Sequence, residues 1–350
     1  MTDGFLITRS RHEVLVANLE SYAALGIDVH ILDATSVPCA AAHMFCQSHA
    51  TVHYHHLPDL SIVERVLYGL ANSGSKHCLL LSDDDHFSPQ AISKCSRFLD
   101  DHPEFVAAQG SFWVAGASGP NDFDLEHYCP SLEADDPEQR IRRHAAFYGH
   151  TAYALHRRES FIQSIEVARR YGDNDGFIEL AASFSLVLSG KLRRFPDLYC
   201  LRRPTTTQAL QLKYTTHPKL WLEQDPVGYG VSLENFLAQI GGLMASLPGV
   251  GGQASFGEIF DLYLRATYDA VENLVCRHRY LLFFLEQMGG TQNGFDLLRR
   301  TPRQRREALT RDFEQSLHAF LRETQPWLME TGLASILPPG DLAPGLLLGK

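Results

Sequence analysis

The chain has no excess of basic residues. Its 31 Lys and Arg are outnumbered by 41 Asp and Glu, for a net charge of −10. That balance argues against a nucleic-acid partner, because phosphate binding needs a basic face. Long apolar runs are missing too. Tyr280 to Leu285 is among the longest, far short of the about 20 residues that span a bilayer. Met1-Thr2-Asp3-Gly4 opens straight into a strand pattern, so no secretory leader is expected. There is no CxxC pair, and the seven cysteines are an odd number and scattered. They read as reduced, mostly buried thiols. The expectation is a cytoplasmic protein, with peripheral contact at the inner face of the membrane left open. There is no internal repeat, and low complexity is confined to Pro338 to Lys350, expected to be a disordered tail.

What is present is organised around Cys78 to Pro89, read CLLLSDDDHFSP. A short buried strand explains the apolar run. Ser88 and Pro89 fit the cap and first position of a following helix. Asp83, Asp84 and Asp85 are thereby set at the carboxyl end of a strand, where open α/β sheets hold ligands. Adjacent carboxylates repel one another, and a divalent cation offsets that cost most simply. Oxygen-only ligands suit magnesium or manganese, which also bridge phosphate oxygens.

The chain's 350 residues can hold one large domain or two ordinary ones. Gly4 to Thr8, Val29 to Leu32 and Val52 to Leu57 read as strands, with a helix carrying Leu15, Leu19 and Tyr22 after the first. Ser61 and Glu64 make a capping box for a helix that Gly74 stops. The helix from Pro89 to about Asp101 buries Ile92, Cys95 and Leu99, and a strand begins at Phe105. This β-α alternation predicts a mainly parallel sheet covered by helices on both faces. From Gly116 to about Arg143 periodicity is lost, which marks a lid or a disordered segment. A strand over Tyr148 to His156, helices over Glu159 to Arg170 and Gly176 to Ser189, and two strand pieces within Leu192 to Leu201, broken at Pro196, complete this part. Helical patterns alone follow, with a second capping box at Ser255 and Glu258. The expected domains are 1–220 and an α-helical 221–337, followed by the tail at 338–350. The arginines at 299, 300, 303, 305 and 306 read as a solvated face. His53 and His55 share a strand face and His56 points away; that geometry could hold zinc, but strand surface is the simpler reading.

A first strand ending in Thr8-Arg9, Asp33 closing the second, a helix carrying Arg65, and then LLLSDDDHF resemble a glycosyltransferase of the GT-A fold, family 2 type, as found in bacteria. The resemblance covers roughly residues 4 to 203. Such enzymes carry an acid at the head of a helix, with a Gly eleven positions later. Gly190 minus eleven gives Glu179, where the family usually has Asp; Ile178 replaces its first acid. The resemblance implies a metal-dependent transfer of a sugar from a nucleotide-diphosphate sugar to an acceptor hydroxyl, with inversion. It makes Glu179 the base, with Asp173 and Asp175 as competitors. Asp83 and Asp85 become metal ligands, with His217 as a third. Thr8, Arg9, Asp33, Arg65, Asp83 and Asp84 fall to the donor, Asp33 toward uracil or another base edge and Arg65 toward the diphosphate. Trp113 would stack on the acceptor sugar; plain core is its other reading.

The cofactor expected is Mn2+ or Mg2+, and the donor a nucleotide-sugar, a UDP-sugar first. The acceptor would be carbohydrate, lipid-linked or protein, as in polysaccharide biosynthesis, and the helical domain could serve a homodimer. A sugar nucleotidyltransferase would want glycine in its first basic loop, and Thr8-Arg9-Ser10-Arg11 has none. An inactive scaffold of the same fold is the remaining alternative, favoured by Ile178 and opposed by the intact acids.

Overall fold

Side chains that alternate along the first strands set the architecture. Phe5, Leu32 and Leu80 join one apolar cluster, while Leu6, Ile31, Leu79 and Leu81 join another. With a period of two, these sets lie on opposite faces of one sheet. Both faces therefore need a cover of helices. The computed structural model describes residues 1–115, 123–125, 129–172, 175–202, 226–248, 250 and 256–263.

The described strands are β1 (Thr2–Thr8), β2 (Asp28–Asp33), β3 (Val52–His56), β4 (His77–Ser82), β5 (His86–Phe87), β6 (Phe105–Ala115), β7 (Phe123–Leu125), β8 (Leu155–Arg157) and β9 (Lys191–Arg202). They form one sheet in the order β3-β2-β1-β4-β8-β6-β9-β5, with β7 beside β6. Its first four strands are parallel, β8 runs against both neighbours, and β6 pairs with β9 in parallel. The protein is thus α/β, as its sequence pattern predicts.

One face is covered by α1 (His12–Ala23), α2 (Ala40–Ser48) and α4 (Pro89–Asp101). The other carries α3 (Ile62–Ala71), α5 (Pro137–Ala146), α6 (Arg158–Ala168), α7 (Asp175–Ser189) and α8 (Pro226–Ala245). Helix α7 is apolar nearly all round and lies deepest. Phe184 meets Phe236 of α8 and Phe256 edge-on, with ring centroids 5.8 and 5.6 Å apart. Residues 226–263, where described, thus extend the core of the sheet domain.

Several local expectations hold. Ser61 and Glu64 cap α3 reciprocally, and Ser88 caps α4 with Pro89 behind it. Others need correction. The stretch 116–143 is not continuously irregular, because it contains β7 and the start of α5, which Asp136 caps ahead of Pro137. Only Leu155 and His156 of the predicted 148–156 strand lie in the sheet, within β8. Pro196 does not split the last strand. Its pairing with β6 instead jumps from Gln109↔Arg194 to Ser111↔Leu198, the bulge that absorbs a residue lacking N–H. Gly110 is required there, since a Cβ would collide with the Asp197 carbonyl.

Buried histidines make the fold acid-sensitive. His156 is 1% exposed and stacks on Phe161; burial lowers its pKa to about 4. Burial, with the neighbouring His30 and His53, likewise lowers His55 to about 4. Both folded values lie below the free value near 6.5, so the unfolded chain binds protons first. Stability is complete above about pH 6.5 and is lost as pH falls toward 4. His156 alone accounts for about 3 kcal/mol across that window. Urea unfolding at stepped pH is expected to show this loss, and His156→Gln to reduce its slope.

Candidate active site

The sheet opens where the acids stand. Strand β8 joins β4 to β6 only at one end, through His77 and Cys78 on one side and Ala107 and Ala108 on the other. Beyond Ser82 the chain turns through Asp83, Asp84 and Asp85. It then re-enters the sheet as β5, against Cys200 and Leu201 of β9. Thr8, Asp33 and Ser82 end three parallel strands at this same edge, Thr8 opposite Asp33 and Ser82 opposite Ile7. A gap beyond the carboxyl ends of parallel strands is where open α/β sheets bind ligands.

The three carboxylates do not face bulk water. Asp83 and Asp85 are buried and Asp84 is half-buried. Asp83 accepts a hydrogen bond from the Thr8 hydroxyl at 2.6 Å and pairs with Arg11 Nη1 at 2.9 Å. Asp84 accepts from Arg11 Nη2 at 2.6 Å and from the Ser82 hydroxyl at 2.8 Å. Asp85 meets Arg202 Nε at 3.6 Å. Burial raises the pKa of Asp83, and the Thr8 bond and the Arg11 charge only partly offset it. Helix α1 holds the turn from beneath. The Tyr22 hydroxyl donates to the carbonyls of Ser82 (2.6 Å) and Asp85 (3.0 Å), and the Asn18 amide donates to that of Asp83 at 3.0 Å.

Part of the expected electrostatics is therefore corrected. The repulsion assigned to a cation is met first by Arg11, whose fork spans two of the acids. Ser10 has a φ of 56° and turns the chain so that Arg11 reaches back. As a metal site, the cluster offers a limited donor set. Asp83 and Asp84 are engaged by protein groups, and no group of three His, Cys, Asp or Glu among the described residues forms a metal cage. Asp85 fits a hard cation held through one carboxylate, its shell completed by phosphate and water.

On the β2 side, Asp33 is fully buried. It accepts from the Thr35 amide (2.8 Å), the Tyr54 hydroxyl (2.6 Å) and His12 Nε2 (3.0 Å). Burial opposes ionisation, yet these bonds hold its pKa below the usual value. Arg65 is no solvent-facing helix charge. It is buried, and its Nη1 donates to the carbonyls of Thr8 and Leu32 at 2.9 Å each, tying the ends of β1 and β2 together. Arg9 is exposed at the rim. Trp113 is buried, its indole N–H donating to Ser111 Oγ at 2.9 Å.

Glu179 comes from α7. Its Oε1 accepts from the Tyr148 hydroxyl at 2.6 Å and pairs with His150 Nδ1 at 2.7 Å. Burial raises its pKa, but the His150 charge and these two bonds win and bring it to about 2. Arg202 links the two acidic centres. It pairs with Asp85, its charge also acts on Glu179, and its guanidinium lies over Tyr153 (5.0 Å to the ring centroid) and Phe112 (5.5 Å). Burial and the charges of Asp85, Glu179 and Asp84 raise the Tyr153 hydroxyl, against Arg202, so the ring lies within the field of both groups of acids. A separate open cavity of about 680 Å³ lies between α6 and α8, lined by Glu166, Arg170, Gln239 and Leu243 among others, away from these residues.

Asp173 and His217 lie outside the described residues, as do the side chain of Asp175 and the segment beyond 263. Arg11, Tyr148, His150 and Arg202 were missed from sequence. Arg11 sits in the basic run after β1, which was a usable signal. The other three meet partners more than 25 residues away, and nothing local marks them. The described helices include none long and apolar enough to cross a membrane.

No family model and no curated protein matches the chain. Solved structures resemble the chain at low identity and with TM-scores below 0.5. S. aureus TarS 1-349 in complex with UDP is 10% identical, with a TM-score of 0.49 over 96% of this chain and 88% of that one. The same TarS in complex with UDP-GlcNAc is 11% identical, with a TM-score of 0.46 over 82% and 87%. The mannosyltransferase PcManGT from Pyrobaculum calidifontis, in complex with GDP-Man and Mn2+, is 10% identical, with a TM-score of 0.44 over 96% and 84%.

Proposed function

We propose that the protein is a glycosyltransferase that moves a sugar from a nucleotide-diphosphate sugar to an acceptor hydroxyl, with inversion at the anomeric carbon. The observation that carries this reading is one arginine shared by two carboxylate centres. Arg202, seated over the ring of Tyr153, pairs with Asp85 of the aspartate turn at 3.6 Å, and its charge also acts on Glu179.

That layout answers both halves of the chemical problem. Breaking the bond between sugar and phosphate puts negative charge on a diphosphate, and a preorganised cationic group stabilises it as it develops. Arg202, fixed on two aromatic faces, is such a group. Asp85 would hold Mn2+ or Mg2+ with Asp83 beside it, and the ion supplies Lewis-acid stabilisation of the leaving diphosphate when bound. Thr8, Asp33 and Tyr54 line the strand ends where the nucleoside would lie, and Arg65 keeps those ends together. Glu179 supplies the basic side, opposite the diphosphate, and attack from there inverts the sugar.

The test is release of nucleoside diphosphate from a panel of sugar nucleotides with manganese. UDP-GlcNAc and GDP-Man come first because the neighbours hold them. Consumption of one donor is expected. Turnover of a nucleoside triphosphate with a sugar phosphate, and of no donor, would contradict the reading and identify a nucleotidyltransferase.

A further inference from the structure

Glu179 is an awkward base. One of its oxygens receives both the Tyr148 hydroxyl and His150 Nδ1. A carboxylate so well supplied with donors gives up basicity. The partner is better suited to the task. A carboxylate on Nδ1 makes that nitrogen the N–H donor and gives Nε2 the lone pair. His150 and Glu179 are about equally accessible, at 22% and 21% of their side chains.

The loop that carries His150 is fastened on both sides of the ring. Buried Arg194 donates to the Gly149 carbonyl at 3.5 Å. With its amide oxygen toward Arg194, Gln109 donates to the His150 carbonyl at 3.3 Å. Thr151 donates to Ser183 Oγ at 3.0 Å, and Ser183 also meets His144 Nε2 at 2.7 Å. An imidazole held this firmly against a carboxylate is arranged for proton transfer at a set position.

We infer that His150 is the general base of the transfer and that Glu179 is the carboxylate that orients it and stabilises its imidazolium. The inference rests on the transferase reading above and names a further catalytic residue for it. The acceptor O–H gives its proton to His150 Nε2, while the Nδ1 proton stays shared with Glu179. The acceptor oxygen forms its bond to the anomeric carbon as the bond from that carbon to the diphosphate oxygen breaks, and the electron pair leaves with the diphosphate. His150 later returns its proton to solvent. The charged and titratable groups around the pair are Tyr148 on the same loop, Arg194 and Arg202 on β9, His144 on α5 and Tyr263 beyond α8. Glu179 favours the imidazolium, and the two arginines oppose it.

The experiment combines the pH dependence of donor consumption with 15N-histidine NMR of the full chain. For the wild type, kcat/KM is expected to fall as pH drops through about 6 to 8. The resonance of His150 should titrate in the same range from the Nδ1–H form. His150→Gln should lose at least ~100-fold and the pH limb together. Imidazole added to His150→Ala should restore part of the rate, and Glu179→Gln should lower the pKa of His150. A wild-type profile flat from about pH 5 to 8, or His150→Gln within about threefold of wild type, overturns the assignment and leaves the transferase reading standing. A wild type that consumes no donor, with the NMR as expected, overturns both and leaves the pair as a structural contact.

Discussion

Replacing Asp85 with alanine is expected to abolish manganese-dependent binding of a nucleoside diphosphate while the domain stays folded. Among the three acids, Asp85 pairs with Arg202 at the longer distance of 3.6 Å. Asp83 and Asp84 are bound by Arg11, Thr8 and Ser82 at 2.6 to 2.9 Å. A cation entering here finds its protein ligand in Asp85, and losing a direct ligand should cost more than the 10- to 100-fold typical of outer partners, hence at least ~100-fold. The backbone of residue 85 does not depend on its carboxylate, because Tyr22 holds its carbonyl at 3.0 Å. Arg202 keeps its seat on Phe112 and Tyr153 and the charge of Glu179 nearby. Calorimetric titration with UDP or GDP, with and without manganese, checks the binding, and a thermal melt checks the fold. Retained manganese dependence would mean that the cation sits elsewhere.

The second large effect belongs to Glu179. Glu179→Gln should slow transfer by at least ~100-fold, the scale of a lost general base or of the carboxylate that supports one. Donor binding should be unchanged. The amide keeps the shape of the side chain and can still accept from Tyr148, so the change removes charge more than packing. The carboxylate's pKa of about 2, below its free value near 4.3, means its ionised form stabilises the fold above about pH 4 and loses that contribution as pH falls toward 2. At assay pH it is fully ionised, and the variant reports loss of that charge alone. Unchanged turnover with intact donor binding would retire Glu179 from the mechanism.

How much of this was legible depended on whether the signal was local. The stretch from Cys78 to Pro89 announced a strand, a turn and a capped helix, and each is present. The Ser61–Glu64 capping box and the amphipathic face of α3 were equally readable. Helix α2 was not read. It has no side-chain cap and buries only Ala42. Helix α5 was lost inside an irregular stretch, although Asp136-Pro137 is a cap signal. The site was half legible. The acids were marked by their adjacency, and Glu179 was singled out only through the resemblance, which sets an acid eleven positions before a Gly. Their arginines were not marked, because Arg11 and Asp83 are 72 positions apart and Arg202 and Asp85 are 117 apart. Pairing of that kind depends on where the sheet brings strand ends together. Arg65 shows the converse: its place on a helix suggested a solvent or ligand contact, and packing turned it onto backbone carbonyls.

The account stands or falls on whether the aspartate turn takes up a cation together with a diphosphate. Electron paramagnetic resonance of manganese reads that directly. The free-ion signal should fall when both the protein and a nucleoside diphosphate are present, more than with either alone, and Asp85→Ala should restore it. If no nucleoside diphosphate changes the signal in the presence of the wild-type protein, the cluster is a structural turn neutralised by Arg11 and Arg202, and the proposed chemistry has no site.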